Sequence, residues 1–235
     1  MNTPEIQWDW GRSMAVSKKA KVNLDALIRR QDLETIDKDL PIPPGDGGIP
    51  ITELAIGKLY YELLRKPHFQ RETDDWDIDN VVTLIKSVRN GHLIPALIIW
   101  RGETGYTFVI DGAHRLSALI AWVNDDYGDR NISQRFFKNE IPKKQKEIAH
   151  ECRVRVDAEV GPYSMLSQIL TAPNPSQEQV RWASNIAGSL TTQRVYGDAE
   201  MAATSFLTIN GSVSVCNIQS AGWVNIQSAP TPGFR

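Results

Sequence analysis

The stretch FVIDGAHRLSAL, residues 108–119, joins an apolar run to a segment with helical periodicity. The apolar run ends at Ile110 and predicts a buried strand, whereas the apolar residues that follow, as far as Val123, recur at the spacing of one helical face. Between the two, Asp111 and Gly112 form a turn signal, since glycine adopts backbone conformations that other residues avoid. The stretch therefore predicts a strand, a tight loop and a helix in direct succession.

The loop between these elements carries polar groups that a turn alone does not need. Gly112 at the start of a helix lets backbone N–H groups approach an anion, and the helix N-terminus adds its positive end. Arg115 supplies a bidentate cation, and His114 is able to donate to a phosphate or to act as a general acid or base. Asp111 is suited to capping the turn, orienting Arg115 or helping to hold a divalent metal. The structural alternative is a plain turn, with His114 packed and Arg115 paired to a nearby acid.

Helix and strand signals surround this loop. Asp75 or Asp77 is able to cap an amphipathic helix, and the Asn-Gly pair at 90–91 stops it because both residues tolerate the left-handed conformation. The β-rich run at 93–100 and the strand at 107–110 flank a turn signal, so the two predict a hairpin. The central block is therefore a helix, a strand, a turn, a second strand, the loop and a helix.

Hydrophobic periodicity predicts further elements on both sides of the central block. They are a helix over 22–36, a segment over 51–67 that alternates first and becomes helical before Pro67, a basic helical connector over 135–150, a half-buried strand over 151–160, and helices over 164–170, 176–190 and 199–210. The helix of 176–190 begins close to a capping box. The stretch LPIPPGDGGIP (40–50) is a breaker-rich linker, and the polar C-terminal tail shows no core-forming pattern.

Composition and cysteine usage bound the class of protein. The chain has 41% hydrophobic and 23% charged residues, as is typical of a globular protein. No apolar run approaches the roughly 20 residues of a membrane helix, and the N-terminus lacks the features of a signal peptide, so we expect a cytoplasmic protein without a membrane partner. Cys152 and Cys216 are isolated, and free buried thiols are favoured over a disulfide in a reducing compartment. No histidine has metal-ligand spacing with them, so no metal site is predicted.

Charge is distributed unevenly along the chain. The net charge of −2 gives no case for strong nonspecific binding to nucleic acid. Eight basic residues with few acids among them nevertheless lie in one region, namely Arg130, Arg135, Lys138, Lys143, Lys144, Lys146, Arg153 and Arg155. A solvated helix face is the plainer interpretation, and a surface for a phosphate backbone or a partner is the alternative. Upstream, Gln70 and Arg71 either belong to a surface ion-pair cluster or reach the same pocket as Arg115.

Taken in order, several motifs resemble one known group of proteins. They are FQR (69–71), Trp76, a helix that ends at 87–91, LIP (93–95), a strand and FVIDGAHRLSAL, with SFLTIN (205–210) later in the chain. This order resembles the ParB/sulfiredoxin-like superfamily, and within it the DUF262 and DGQHR-type proteins, over about residues 65–125 and more loosely over 199–211.

The resemblance implies an α+β fold, with a small mixed sheet and helices followed by a mainly helical C-terminal part. The expected organisation has four segments. They are a lead-in and linker over 1–50, a ParB/DUF262-like core over 51–160, a helical C-terminal segment over 161–211 and an irregular tail over 212–235.

The resemblance also assigns a nucleotide site to the loop. In ParB proteins the matching box binds cytidine triphosphate, and in DUF262 proteins it is tied to nucleotide hydrolysis and to the sensing of modified DNA. DGQHR-type proteins take part in phosphorothioate modification of DNA. The implied catalytic residues are Asp111, His114 and Arg115, and the implied ligand-binding residues are Gln70, Arg71, Gly112 and Arg115. The implied ligand is an NTP with Mg²⁺.

Departures from the family pattern limit the expected chemistry. Ala113 replaces the usual glutamine and cannot hydrogen-bond a ligand or a water. It also stands where sulfiredoxin carries its reactive cysteine, which excludes that reduction. No His-Asn-His cluster is visible downstream, so nuclease activity is not expected from this chain.

Two functions from different classes are open. The first is a nucleotide-binding and NTP-hydrolysing protein of a DNA-processing or phage-defence system, with a separate nuclease or modification subunit as partner. The second is a noncatalytic ParB-like protein that binds DNA or regulates a partner. The basic region and Ala113 favour the second, because alanine leaves the phosphate cradle intact while removing a polar group.

Overall fold

A small mixed β-sheet lies at the centre of the chain in the computed structural model, which describes residues 20–33, 48–102, 105–165, 168–169 and 172–209. The strands are β1 (Arg29–Gln31), β2 (Ile49–Pro50), β3 (Leu64–Pro67), β4 (Leu97–Arg101), β5 (Thr107–Asp111), β6 (Ser189–Leu190) and β7 (Thr192–Val195). The helices are α1 (Leu59–Leu63), α2 (Ile78–Arg89), α3 (Ala113–Asn124), α4 (Asn131–Phe136), α5 (Lys143–Glu159), α6 (Gln177–Ala187) and α7 (Ala199–Ile209), with 3₁₀ turns at Asp25–Leu27 and Ile51–Leu54.

The main sheet has five strands in the order β1-β3-β5-β4-β7. Strands β1, β3 and β5 are parallel, β4 is antiparallel to β5, and β7 is parallel to β4. Strands β2 and β6 pair separately as a short antiparallel ribbon. The expected class, a small mixed sheet with helices, is thus confirmed, and the predicted β4–β5 hairpin is present. The C-terminal part contains α6 and α7 and also contributes β6 and β7.

Strand alternation divides the apolar side chains between the two faces of the sheet. In β5, Val109 joins a large core that includes residues of α2, α3 and α5, while Phe108 and Ile110 belong to a second, smaller cluster. The smaller cluster also contains Trp100 of β4 and Ala202 of α7. Because successive strand residues point to opposite faces, one apolar strand supplies both cores.

Several helix boundaries follow the sequence signals. The Asp77 carboxylate accepts a hydrogen bond from the Asn80 backbone N–H and begins α2, and the chain leaves α2 through Gly91, whose φ is +71°. Ser176 and Gln179 form the capping box that begins α6. These predictions are confirmed, as is the helix at α7.

The predicted helix over 22–36 is wrong across its described part, which forms a 3₁₀ turn and β1. The Val22 backbone N–H donates to the Trp76 carbonyl at 2.8 Å, and the Leu24 N–H donates to the Thr73 carbonyl at 3.0 Å. The apolar residues of this segment are therefore buried against a loop that is distant in sequence. Their spacing resembled one helical face only by coincidence.

The predicted strand over 151–160 is also wrong, because these residues continue α5. The apparent alternation placed Val154 on one face with Cys152 and Val156, yet Val154 is exposed. Cys152 and Val156 are buried four residues apart, with Ile148 buried one turn earlier, which is the spacing of a helical face. Cys152 is a buried free thiol, as expected.

The segment over 51–67 contains the 3₁₀ turn at Ile51–Leu54 and α1, which ends at Leu63, and its last four residues form β3. The helix does end before Pro67, but the buried strand that follows it was missed. The basic connector over 135–150 is the end of α4, a turn and the start of α5.

Some predictions fall on residues that the structure does not describe. They are the lead-in over 1–19, most of the linker over 40–50, part of the helix over 164–170, Cys216 and the tail over 212–235. Within the described ranges, no helix combines the length and apolar character needed to span a membrane.

A buried carboxylate joins β1, β3 and the loop before α2. Asp25 accepts hydrogen bonds from the Lys66 ammonium at 2.5 Å and from Arg30 at 2.9 Å. It also accepts one from the Thr73 backbone N–H at 3.0 Å. The Lys66 side chain is 0% exposed, and burial lowers the pKa of its ammonium. Burial alone would raise the pKa of Asp25, but the hydrogen bonds from Arg30 and Lys66 outweigh it and hold that pKa below its usual value.

Replacing Asp25 by alanine should lower the free energy of unfolding by about 3–5 kcal/mol, because it leaves the buried Lys66 charge without a carboxylate partner. Urea denaturation measures this loss. Adding Lys66→Met should recover part of it, whereas Asp75→Ala, which removes exposed ion pairs with Lys21 and Arg71, should cost about 1 kcal/mol or less. Since the folded pKa of Asp25 lies below its unfolded value, the stabilisation is complete above about pH 4 and is lost as the pH falls through the folded pKa. Equal losses in Asp25→Ala and Asp75→Ala would contradict the buried position of the pair.

Candidate functional site

The loop between β5 and α3 begins a helix that has no side-chain cap. Gly112 is the N-cap residue of α3, and its φ of +92° lies in the left-handed region that favours glycine. A Cβ at this position would lie 2.4 Å from Leu97 Cδ2, so the loop passes close to β4. The first backbone N–H groups of a helix have no partner within it, and no side chain caps those of α3. Together with the positive end of the helix they are suited to binding an anion.

Arg115 fastens this loop to the chain ahead of β4. Its Nη2 donates to Asp111 Oδ2 at 2.7 Å, and its Nη1 donates to the backbone carbonyls of Pro95 and Ala96. This pairing with a nearby acid is the structural alternative that the sequence also allowed. A phosphate contact from Nη1 therefore has to share or replace its two bonds to carbonyls, whereas Nη2 keeps a second N–H beside its bond to Asp111.

The His114 imidazole lies over the Trp76 ring, with centroids 5.9 Å apart and planes inclined by 22°. Its Nε2 is buried and has no hydrogen-bond partner among the described residues. The same holds for the hydroxyl of Ser117, which lies three residues later on the same side of α3. Buried polar atoms are nearly always hydrogen-bonded, so the two atoms mark a place where a water or a ligand is needed.

Gln70 and Arg71 lie on the loop between β3 and α2. Gln70 is 8% exposed, its backbone carbonyl accepts a hydrogen bond from Arg30 at 2.6 Å, and its Oε1 has no partner among the described residues. The Arg71 side chain is 70% exposed and pairs with Asp75 at 3.1 Å. Trp76 of the same loop is stacked on His114, so the upstream loop and the loop before α3 are neighbours, and the charge of Arg71 lowers the pKa of His114.

The surroundings of His114 hold its pKa below the usual value of 6.5. Burial is the main cause and the charge of Arg71 adds to it, while the charge of Asp75 acts in the opposite direction. The imidazole is therefore neutral at pH 7, with one ring nitrogen as a hydrogen-bond donor and the other as an acceptor. A neutral imidazole that is short of a partner is able to bind a phosphate oxygen through its N–H or to accept a proton.

The polar residues of the loop before α3 make different kinds of contact. Asp111 and Arg115 form an ion pair within it, whereas His114 is stacked on Trp76 and lies within the electrostatic reach of Arg71. Trp76 is half-buried, packs against the large core and is stacked on His114. Trp100 and Trp122, by contrast, are buried.

Sequence reasoning missed the residues that hold the upstream loop in place. Lys66 is charged, so a local pattern assigns it to the surface, although it is enclosed in a strand whose residues are all buried. Its partner Asp25 is distant in sequence, and Thr73 lies among polar residues. No local pattern signals the burial of Lys66, because its partner lies 41 residues earlier in the chain.

The described residues contain no group of three or more His, Cys, Asp or Glu side chains that could hold a metal ion. Asp111 is the carboxylate closest in sequence to the N-terminus of α3, and one of its oxygens is bonded to Arg115. Magnesium commonly takes one or two carboxylates together with phosphate oxygens and water. The site is therefore compatible with a magnesium ion that arrives with a nucleotide.

Comparison with known families identifies the part of the chain that carries the site. Residues 53–210 match the family model described as GmrSD restriction endonuclease, N-terminal domain. The match covers the loop before α3 and the upstream Gln70 and Arg71, and it confirms the DUF262-type part of the resemblance, while the wider ParB-like relation stays a prediction. No curated protein and no solved structure matches the chain.

Gly112→Ala should lower the free energy of unfolding by more than Gly57→Ala does. Both glycines have a positive φ, +92° and +81°, but nothing lies within 4 Å of a Cβ built at Gly57. Gly57→Ala therefore measures the left-handed backbone alone, about 1–2 kcal/mol. The additional loss in the free energy of unfolding of Gly112→Ala, measured by urea denaturation, reports the close approach of the loop to Leu97. Equal losses would show that this approach is not tight.

An NMR titration should give His114 an apparent pKa below 6.5. Arg71→Ala should raise this pKa because it removes a neighbouring positive charge, and Asp75→Asn should lower it because it removes a negative one. Since the folded pKa lies below the unfolded value, the stability that neutral His114 contributes is present above about pH 6.5 and is lost as the pH falls through the folded pKa. A pKa that is insensitive to both substitutions would place Arg71 away from the imidazole.

Proposed function

The chain belongs to the family of the GmrSD restriction endonuclease N-terminal domain, and from that premise we propose that it works in a restriction-type DNA-processing or phage-defence system. In this proposal the loop before α3 binds the phosphates of an NTP. The observation that carries the proposal is the uncapped N-terminus of α3 beside the buried, unpartnered Nε2 of His114. Backbone N–H groups at a helix N-terminus and an imidazole N–H are suitable donors to phosphate oxygens.

Arg71 is the cation that supports phosphate binding most directly. Its side chain is 70% exposed, and its one ion-pair partner among the described residues is the exposed Asp75, a kind of pair that contributes little energy and is easily exchanged. Arg115 acts first by holding the loop through Asp111, and its Nε–H and the second N–H of its Nη2, which take no part in these bonds, are the donors left for a phosphate. The Oε1 of Gln70 is an acceptor for a hydroxyl or amino group of the nucleotide.

Hydrolysis is the second part of the proposal. Asp111 would contact a Mg²⁺ ion that also binds phosphate oxygens and water, which are ligands that Mg²⁺ prefers. His114, neutral at pH 7, would accept the proton of the attacking water. Because Ala113 adds no polar group to the loop, the position of that water depends on His114 and on backbone groups.

A noncatalytic regulatory role is the second candidate, and the Asp111–Arg115 pair favours it. This pair occupies one oxygen of the only carboxylate in the loop, and Ala113 is apolar, so the loop is better equipped to bind a phosphate than to cleave one. In this form the bound nucleotide would control the binding of DNA or of a separate nuclease or modification subunit. Both candidates require a nucleotide at the same place.

An NTP with Mg²⁺ should raise the melting temperature of the protein, because a ligand that binds only the folded state stabilises it. At 100 times its Kd the ligand adds about 2.7 kcal/mol to the free energy of unfolding. Arg71→Ala should weaken binding about tenfold or more, through the loss of a charge-assisted contact. Arg181→Ala, an exposed arginine on α6, should leave binding unchanged. No shift with any of the common NTPs at millimolar concentration would contradict the proposal.

Release of inorganic phosphate distinguishes the two candidates. If the protein hydrolyses NTP, His114→Ala should lower the rate of release by about 100-fold or more, since general-base catalysis contributes at least that factor. Arg181→Ala should keep the original rate. A thermal shift by NTP without any phosphate release would favour the regulatory role.

A further inference from the structure

The structure divides the eight basic residues between 130 and 155 into two sets. Four of them pair with acids, namely Arg130, Lys143, Arg153 and Arg155. The other four are exposed and form no ion pair within the described ranges, namely Arg135, Lys138, Lys144 and Lys146. This second set lies at the end of α4, in the turn after it and in the first turn of α5. We call this region, residues 135–146, the α4–α5 surface.

A tight turn holds the α4–α5 surface together. The Asn139 backbone N–H donates to the Gln134 carbonyl at 2.8 Å, and both Lys138 and Asn139 have a positive φ. On the other side of the turn, the Gln145 amide of α5 donates to the Gly128 carbonyl ahead of α4 at 2.6 Å. The first turn of α5 is therefore bonded to the chain that leads into α4.

Phe136 stands among these cations as an exposed aromatic ring. It is 51% exposed, and its ring contacts the edge of Phe137, with centroids 4.9 Å apart and planes at 80°. The half-buried Phe137 thus supports one side of the ring and leaves the rest open to solvent. An open ring between Arg135 and Lys138 is a surface on which a nucleobase can stack.

The lysines at the start of α5 lie where their positive charge is unfavourable for the helix. Lys143, Lys144 and Lys146 lie in its first turn, where no acidic residue is present and no side chain caps the N-terminus. Positive side chains at this end of a helix repel its dipole. Lys143 alone has an acidic partner, Glu147, at 3.8 Å on an exposed surface. A polyanion bound across the turn would relieve this repulsion.

We propose that the α4–α5 surface binds single-stranded DNA, with its unpaired cations on successive phosphates and Phe136 stacked on a base. Cations that follow a backbone, combined with an exposed ring, are the features of sequence-independent single-strand binding, whereas a duplex offers no free base face. The segment over 130–146 holds six basic residues and one acid in a chain whose net charge is −2, so positive charge is concentrated on this surface. The choice of DNA over RNA rests on the proposed restriction-type function.

Fluorescence anisotropy with a labelled single strand of about 20 nucleotides, longer than the site of one small domain, tests the cations. The triple variant Arg135→Ala, Lys138→Asn and Lys144→Ala should lower the affinity about tenfold or more at low salt. It should also make the slope of log affinity against log salt shallower by about 2, since each single-strand phosphate contact contributes about 0.7. Asparagine is chosen at 138 because it tolerates a positive φ.

A matched control removes three charges from exposed positions elsewhere, in the variant Lys58→Ala, Arg101→Ala and Arg181→Ala. It should keep both the affinity and the salt slope close to those of the unmodified chain. Phe136→Leu should lower the affinity for the single strand about fivefold or more while leaving duplex affinity unchanged. Tyr196→Leu, a ring of similar exposure, should have no such effect. Melting temperatures of all variants verify that they fold.

Each of three results would overturn the proposal. The first is an equal loss in the cation variant and its control, and the second is tighter binding to a duplex or to RNA of the same sequence. The third is binding to vesicles of phosphatidylserine without binding to DNA, which would make the surface a membrane contact. These measurements are made without nucleotide, so their outcome does not depend on whether the loop before α3 binds an NTP.

Discussion

The candidate site depends on the hydrogen bonds that the buried carboxylate of Asp25 accepts. It bonds Lys66 in β3 and Arg30 in β1, and so fastens the edge strand to the sheet. It also bonds the backbone of Thr73, which lies in the loop that carries the upstream Gln-Arg pair. A lysine as fully buried as Lys66 is tolerated only while it is paired, so the strand edge and this loop are held in one arrangement. The same loop carries Trp76, which is stacked on His114.

At the candidate site, some groups hold the loop before α3 in place, and others remain available to a ligand. Arg115 is engaged with Asp111 and two backbone carbonyls, which makes it first a support for the turn at Gly112. The groups left for a ligand are the backbone N–H groups of α3, the imidazole of His114, the Oε1 of Gln70, the exposed Arg71 and the remaining N–H groups of Arg115. A fixed turn with open donors loses little freedom when an anion binds, because the groups are already in place.

Local signals predicted the elements that immediately surround the site, and non-local pairing explains most of the failures. The Asp77 cap, the Gly112 turn and the β4–β5 hairpin depend on neighbouring residues, so the sequence was sufficient for them. By contrast, β1, β3 and β7 are short, contain charged or polar residues and pair in parallel with strands distant in the chain. The local hydrophobic periodicity of these strands does not indicate which distant strands they pair with. The sequence predicted which residues of the loop and of the Gln-Arg pair belong to the site. It did not predict that Lys66 supports the upstream loop, because the burial of Lys66 depends on Asp25.

By itself the sequence determined that a strand, a left-handed glycine turn and a helix bearing His-Arg follow one another, because periodicity and glycine geometry act over a few residues. It also determined that basic residues concentrate between 130 and 155. Only the tertiary structure decided that Arg115 pairs with Asp111, that His114 is stacked and neutral, and which cations stay unpaired. The physical reason is that charge pairing and desolvation depend on which distant residues the fold brings within a few ångströms.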